Sequence, residues 1–348
     1  MRQVRATGLC TAPFTSCVEV AQVSAPTPAR GEALIAVNGT SVNPSDCDTV
    51  EMGGCAKGCG ADVAGTVVEC PGCTRLKPGD VVWTLAQPAY ADYVVAQESM
   101  VGLAPKLTAG FDIAAAGTLP EVGLTSLFSL KRTVAAPGTP MPSGSPWSPA
   151  KYGHNLTVAV TAGSSGTGAV AIELAKAFGA AHVATATTGA AGAAFVKKLG
   201  ADIVVDYMEQ EILDALPEAS VDIVYDNYGA EGSADKAMRV LREGGAYLLL
   251  PHGECYETQS QAPPCLSANP KPGVSQLNYA TGVDFEAHAL AGLDELKALV
   301  QSGGLHAHVG RTFSLTHAAA AFNFSAGGGS GGVDDHLGKI SIVTAEFA

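Results

Sequence analysis

The sequence predicts an α/β protein: a β-rich first part, then a doubly wound parallel sheet with helices on both faces. Three observations predict it. The stretch from Leu156 to Lys176 starts as an apolar, β-branched run, passes Gly163, Gly166 and Gly168, and ends in an Ala-rich helical pattern. After it, strand-like and helix-like runs alternate at the spacing of βαβ units. Before it, short β-branched runs are separated by Gly, Pro and Asp, the punctuation of strands and turns.

The elements follow in order. Strands are expected at Ala33–Val37, Ala64–Val68, Val81–Thr84 and Tyr93–Ala96, and one Ala- and Leu-rich helix at Phe111–Leu130. Ala136–Pro149 reads as a loop, because its repeated prolines forbid a helix. Strands are then expected at Thr157–Thr161, His182–Ala186, Ile203–Val205, Val221–Asp226 and Ala246–Leu250. Helices are expected at Thr167–Phe178, Ala190–Leu199, Glu209–Leu216 and Ser233–Leu241. Glu254–Ser275, with Pro263, Pro264, Pro270 and Pro272, reads as a second irregular loop. A helix at Phe285–Gln301 and a strand–helix–strand tail from His306 complete the chain.

The 348 residues are 47% hydrophobic and 15% charged, enough apolar material for two domains. The net charge of −13 argues against nucleic acid and anionic membranes as partners. No apolar run is long enough to span a bilayer, and the N-terminus lacks the apolar core of a secretory signal. A cytoplasmic location is expected, or an organellar one if a transit peptide has been removed. Of nine cysteines, seven lie at positions 10, 17, 47, 55, 59, 70 and 73. A chain of this length needs no disulfide framework, so free thiols are expected. Cys55, Cys59, Cys70 and Cys73 have a spacing suggestive of zinc, but the strand-like Ala61–Glu69 holds the pairs apart.

The Gly163-Ser164-Ser165-Gly166-Thr167-Gly168 turn sits between a strand and a helix and opens a βαβ unit, the context required of a dinucleotide fingerprint. Its backbone N–H groups can face a pyrophosphate. NAD-binding units place a carboxylate about 20 residues further on. Between Leu174 and Ala201 there is no Asp or Glu, and the second strand ends in Thr187-Thr188. Hydroxyls there suit a 2′-phosphate, so NADPH is expected rather than NADH. No Lys or Arg lies in Thr187–Gly192 to bind that phosphate.

The chain also resembles a known family. Ser41-Val-Asn-Pro-Ser-Asp46, Gly60-Ala-Asp-Val-Ala-Gly-Thr-Val67, Leu76-Lys-Pro-Gly-Asp-Val-Val82, Ala89-Tyr-Ala-Asp-Tyr-Val-Val95, Leu119-Pro-Glu-Val-Gly-Leu-Thr125, the glycine turn, Asp222–Gly229, Leu241–Gly245 and Gly338-Lys-Ile occur in a shared order. In that order they resemble the medium-chain dehydrogenase/reductase superfamily, in its zinc-free quinone oxidoreductase-like branch. The resemblance implies a GroES-like β domain at 1–128 and 302–348, and a Rossmann NADP(H)-binding domain at 129–301. It implies a homodimer, and a substrate site in a cleft. Zinc enzymes of the superfamily have Cys where Asn43 stands and His-Glu where Ala61-Asp62 stands, so no metal is expected.

A reductase without a Lewis acid suits an electrophile that is already polarised, a quinone or the C=C bond of an α,β-unsaturated carbonyl. The resemblance offers Asn43 and Tyr90 as catalytic donors. Asn43 before Pro44 serves equally as a turn residue, and for Tyr90, an aromatic among strands, packing is the commoner role. Many members carry Tyr where Asp48 stands, which leaves the proton donor unassigned. For the cofactor, the resemblance and the strand ends point to Thr125, Tyr207, Asn227, Leu250, His252, Gly253 and Lys339 beside the glycine turn, Thr187 and Thr188. The competing readings are a non-catalytic NADPH-binding redox sensor and a zinc-type alcohol dehydrogenase.

Overall fold

The long β-branched run before Asn43 forms the spine of the first of two units. The computed structural model describes residues 1–137, 139–148, 151, 155–327 and 337–344. Gly138 and Pro149 of the expected Pro-rich loop lie outside them. The first unit comprises Met1–Val122, Ala289–Gln301 and Ala307–Ala348; the second comprises Gly123–His288 and Ser302–His306.

In the first unit, β1 (Arg2–Ala6) pairs antiparallel with β2 (Val18–Gln22). The main sheet contains β3 (Glu32–Val42), β4 (Asp62–Glu69), β5 (Val81–Leu85), β6 (Tyr93–Gln97) and β7 (Gly102–Leu103). It runs Val309–Ser314, Lys339–Val343, β3, β4, β5, β7, with β6 also on β3. Alternate β3 positions Ala33, Ile35 and Val37 are buried against Val63, Val67, Val82 and Val94, as the two-residue strand period requires. The antiparallel register sets Ile340 opposite Val42, which brings the neighbouring Lys339 to the end of β3 at Asn43.

The single helix expected at Phe111–Leu130 is two, Ile113–Ala116 and Pro120–Arg132. Asp112 caps the first through Ala115 N (2.9 Å). Pro120 cannot continue a helix from Leu119 but is well suited to start one.

In the second unit β8 (Thr157–Val160), β9 (His182–Thr187), β10 (Ile203–Asp206), β11 (Val221–Asp226), β12 (Leu241–Leu249) and β13 (Ser275–Asn278) form a six-stranded sheet. All pairs are parallel, and the order β10-β9-β8-β11-β12-β13 is that of a doubly wound dinucleotide fold. Every residue of β8 and β11 is buried, as strands covered on both faces must be. Helices Gly166–Ala177, Gly189–Leu199, Ile212–Ala215 and Ser233–Val240 connect them.

The segment expected to be an irregular loop to Ser275 carries the short helix Gly253–Thr258 and leads into β13. It also folds over the end of that strand. The Gln261 amide accepts from Asn278 N (3.3 Å) and donates to Asn278 O (2.8 Å), occupying an edge backbone pair. Asn278 Nδ2 in turn donates to Cys255 O and Ser260 O.

The cysteines correct the expectation of free thiols. Four pairs are bridged: Cys10–Cys17, Cys55–Cys59, Cys70–Cys73 and Cys255–Cys265. Each pair is three to ten residues apart, and Cα separations of 5.0–5.7 Å suit a disulfide. Local turns bring the partners together, so no framework had to be planned around them. Cys47 is the free cysteine, and it is buried.

Candidate active site

The first unit gathers its chemistry where β3 ends. Asn43 follows β3 and precedes the helix Pro44–Glu51; its backbone N–H donates to Asp46 Oδ2 at 2.9 Å, fixing the entry to that helix. Asp62 opens β4, and Glu121 stands in the first turn of Pro120–Arg132. Asn43, Asp46, Asp62 and Lys339 are buried, whereas Glu121 is half-buried. The Asn43 amide is fully engaged. Nδ2 donates to Asp62 Oδ2 (2.8 Å) and Glu121 Oε2 (3.0 Å), and Oδ1 accepts from the Lys339 ammonium. Lys339 also donates to Val42 O at 2.9 Å. Asp62 accepts further from Ser41 Oγ (2.5 Å) and Glu121 N (2.7 Å).

Three of the expected residues have partners within this cluster. Both N–H bonds of the Asn43 carboxamide go to carboxylates, so Asn43 organises the cluster and has no free donor. Tyr90 is fully buried; its hydroxyl donates to Asp46 Oδ2 (2.6 Å), with Ser41 O also within reach (2.9 Å), and its ring meets Phe322 edge-on. It is a support beneath the cluster. Lys339, expected on the cofactor, holds Asn43.

Burial and neighbouring carboxyls raise the proton affinity of Asp46 and Glu121. Burial, opposed by its bonds from Tyr90 and Asn43, pushes Asp46 up to about 6, with Asp62 adding repulsion. Burial, then the charges of Asp62 and Asp46, push Glu121 up to about 8. Sequence reasoning missed Glu121 and Asp62. Both lay inside quoted motifs, but neither motif says that β4 and the Pro120 helix converge.

The donor set does not fit zinc. The Asn43 oxygen that a metal would need faces the Lys339 ammonium, and Ala61 supplies no ligand. Among the described residues, no three His, Cys, Asp or Glu side chains are grouped to hold a metal ion.

In the second unit the glycine turn joins β8 to the helix Gly166–Ala177. A Cβ on Gly168 would lie 1.8 Å from Ala162 O, and one on Gly163 would lie 2.2 Å from Thr185 Oγ1, so side chains are excluded at both. Ser165 Oγ caps Gly168 N at 3.0 Å. Gly166 and Thr167 carry the first-turn N–H groups, which have no partner inside the helix and suit an anion. Asn227, from the end of β11, pins the turn. Its Oδ1 accepts from Ala162 N (3.0 Å), and Nδ2 donates to Ser165 Oγ (3.1 Å) and Thr167 Oγ1 (3.1 Å). These residues fit a dinucleotide pyrophosphate.

The other expected cofactor residues lie at the same carboxyl end of the sheet or on helices beside it. Thr187 Oγ1 donates to Ser164 Oγ (3.0 Å). Tyr207 is half exposed, its N–H donating to Thr187 O (3.0 Å). Leu250 N donates to Asp226 O (2.8 Å), and His252 Nε2 lies 3.1 Å from Asn227 O. Gly253 begins the short helix, and Thr125 Oγ1 is 3.4 Å from Thr281 Oγ1.

One premise of the cofactor expectation is corrected. No carboxylate follows β9 in sequence, but the parallel register sets Asp206 opposite Thr187. Asp206 accepts from Gly189 N (3.3 Å), Met208 N (2.9 Å) and the Thr188 hydroxyl. The bond from Met208 N, then those from Thr188 and Gly189, hold its carboxyl below the usual range. The neighbouring strand thus supplies the charge that the sequence count lacked.

Comparisons with known proteins agree with this architecture. Residues 29–125 match the family described as alcohol dehydrogenase GroES-like domain, and residues 199–332 match zinc-binding dehydrogenase. A chloroplastic NADPH-dependent alkenal/one oxidoreductase of Arabidopsis thaliana is 33% identical over 203 residues, 55% of this chain and 46% of that protein. A chloroplast envelope quinone oxidoreductase homolog of the same plant is 35% identical over 211 residues, 56% of this chain and 58% of that protein. The matched chain spans about half the length of these curated relatives. Among solved structures, the quinone oxidoreductase of Coxiella burnetii superposes with a TM-score of 0.76 at 23% identity, covering 99% of both chains. A mycobacterial protein in complex with NADPH gives 0.71 at 21% identity, covering 99% of this chain and 100% of the other. The two family matches, at residues 29–125 and 199–332, together with the named relatives support a quinone oxidoreductase-like protein of the medium-chain dehydrogenase/reductase superfamily.

Proposed function

We propose that the chain is an NADPH-dependent oxidoreductase that reduces quinones or the C=C bond of α,β-unsaturated carbonyls without zinc. The observation that carries the reading is the glycine turn locked by Asn227, with the first-turn N–H groups of the helix at Gly166 and Thr167. NADPH, when bound, supplies the hydride. Gly163, Ser164, Ser165, Gly166, Thr167 and Gly168 hold the pyrophosphate, and Thr187, Thr188 and Tyr207 border the adenosine end. Thr125, Leu250, His252 and Gly253 border the nicotinamide end. The names of the alkenal/one and quinone oxidoreductase relatives support these substrate classes. The name of the first and the mycobacterial complex support NADPH.

No helix among the described residues is long and apolar enough to cross a membrane. We place the chain in the cytoplasm or, as with its chloroplastic relatives, in an organelle. A homodimer belongs to the same reading. Gln261 already occupies the Asn278 end of the β13 edge, so the partner has to use another surface or the remainder of that edge.

The test is turnover of NADPH and NADH by the purified chain against a panel of alkenals, alkenones and quinones. Tight NADPH binding without turnover of any of them would replace this reading with that of a redox sensor.

A further inference from the structure

We propose that Glu121 is the general acid of this chain, delivering its carboxyl proton to the α-carbon of an α,β-unsaturated carbonyl as the double bond is reduced. The proposal rests on the reductase reading above and assigns the proton donor that reading lacks.

Position singles Glu121 out. Asp46 and Asp62 are buried, whereas Glu121 is half-buried beside the exposed Ser45. Its Oε2 accepts from Asn43 Nδ2 (3.0 Å), which leaves Oε1, 3.3 Å from Ser45 Oγ, as the outward oxygen. Three other polar groups of the cluster are already engaged. Tyr90 is buried with its hydroxyl on Asp46, and Asn43 has both N–H bonds on carboxylates. Lys339 is buried against Asn43 and Val42.

Charge keeps the proton in place. Glu121 faces Asp62 from β4, Asp46 from the Pro44 helix and Lys339 from the last strand. Tyr90 stands behind Asp46 with a hydroxyl that burial and Asp46 keep protonated. Two carboxyls against one ammonium disfavour a third negative charge. With burial, they lift the Glu121 carboxyl to about 8, so most of it is protonated at pH 7. An acid with a pKa near the working pH is well matched to proton transfer.

The step balances. The β-carbon takes a hydride, and the C=C electron pair moves toward the α-carbon and the carbonyl oxygen. The Glu121 O–H bond breaks as the α-C–H bond forms. Glu121 is left as a carboxylate, and water at its exposed side restores the proton. The sum is enone, NADPH and one proton giving saturated ketone and NADP⁺.

The test compares wild type with E121Q and E121D, using NADPH with a 2-alkenal. E121Q keeps an acceptor for Asn43 but has no acidic proton. Its kcat should fall about a hundredfold or more, while NADPH affinity holds and E121D recovers part of the loss. Wild-type kcat should decline through about pH 8, and that limb should be absent in E121Q. Apart from turnover, the infrared spectrum of wild type at pH 7.5, where Asp46 is ionised, should contain a protonated-carboxyl band that disappears by pH 9.5 and is missing from E121Q.

An alkenal rate within about twofold of wild type, with the same pH profile, would give the proton to solvent and overturn the proposal alone. Absence of the infrared band would do the same. Should E121Q fail to fold, E121D and the wild-type pH limb decide it. Failure of wild type to turn over any acceptor would instead remove the reductase reading, and this assignment with it.

Discussion

The ammonium of Lys339 donates to the carboxamide oxygen of Asn43, 296 positions earlier in the chain. This bond fixes which way the amide points. With its oxygen on a cation, the amide nitrogen is directed at Asp62 and Glu121. Lys339 faces both Asp46 and Glu121. Replacing it leaves their charge uncompensated in a poorly solvated place. Lys339→Met is expected to destabilise the first unit by roughly 3–5 kcal/mol in urea unfolding, far beyond the loss of a surface lysine. A change below about 1 kcal/mol would mean that the cluster is better hydrated than its burial indicates.

The same cluster sets a pH dependence of stability. Asp46 rises from 3.8 to about 6 on folding, and Glu121 from 4.5 to about 8. Between the unfolded and folded values the folded chain holds protons that the unfolded chain has released. Their contribution is therefore complete below about pH 4 and is lost as pH climbs toward 8. Melting temperature should fall from pH 5 to pH 8.5. In E121Q the slope should be shallower, with the variant melting above wild type at pH 8.5 and converging on it near pH 5. Parallel curves for the two proteins would show that Glu121 ionises normally.

Much of this arrangement was legible in the sequence, and the limit is instructive. Gly163, Gly166 and Gly168 announced the cofactor turn because strand, turn and helix are consecutive, and local spacing encodes them. Asn227 was placed at a strand end for the same reason. β13 was not seen, because Ser-Gln-Leu-Asn is too polar to read as a strand. Its Gln276 side chain bonds back to Ser267, and its Asn278 backbone to Gln261. The split at Pro120 was hidden by the Ala- and Leu-rich residues on both sides. Asp62, Glu121 and Lys339 meet only through β-sheet register and helix placement, which no periodicity reports.

Asp206 shows the same limit with a functional consequence. It reaches the Thr187–Thr188 end of β9 from the next strand, not along the chain. A fixed carboxylate there opposes the extra phosphate of NADPH more than it opposes NADH. Across an exposed gap, salt screens such repulsion and keeps it small. Asp206→Asn should therefore tighten NADPH binding a few-fold relative to NADH, by fluorescence titration at low salt. The gain should shrink as ionic strength rises. An unchanged ratio would place the adenosine ribose away from Asp206.

The cysteine pairing makes the last prediction. Eight of the nine thiols are in short-range bridges, and the ninth, Cys47, is buried. Burial first, then the neighbouring Asp46, Asp48 and Glu51, push the Cys47 thiol up to about 12, opposed by a bond from Ser325. A thiol that rarely ionises reacts slowly. Protein purified without reductant should take up almost no iodoacetamide while folded. Denatured, it should take up one equivalent, mapped to Cys47, and after reduction nine. The Cys255–Cys265 bridge closes a loop of ten residues, worth about 2–3 kcal/mol by loop entropy, and it anchors the segment that puts Gln261 on Asn278. Reduction should therefore loosen hydrogen exchange at Ser275–Asn278 before it affects the glycine turn. Nine reactive thiols in the unreduced, denatured chain would show instead that the pairs are close neighbours held as thiols.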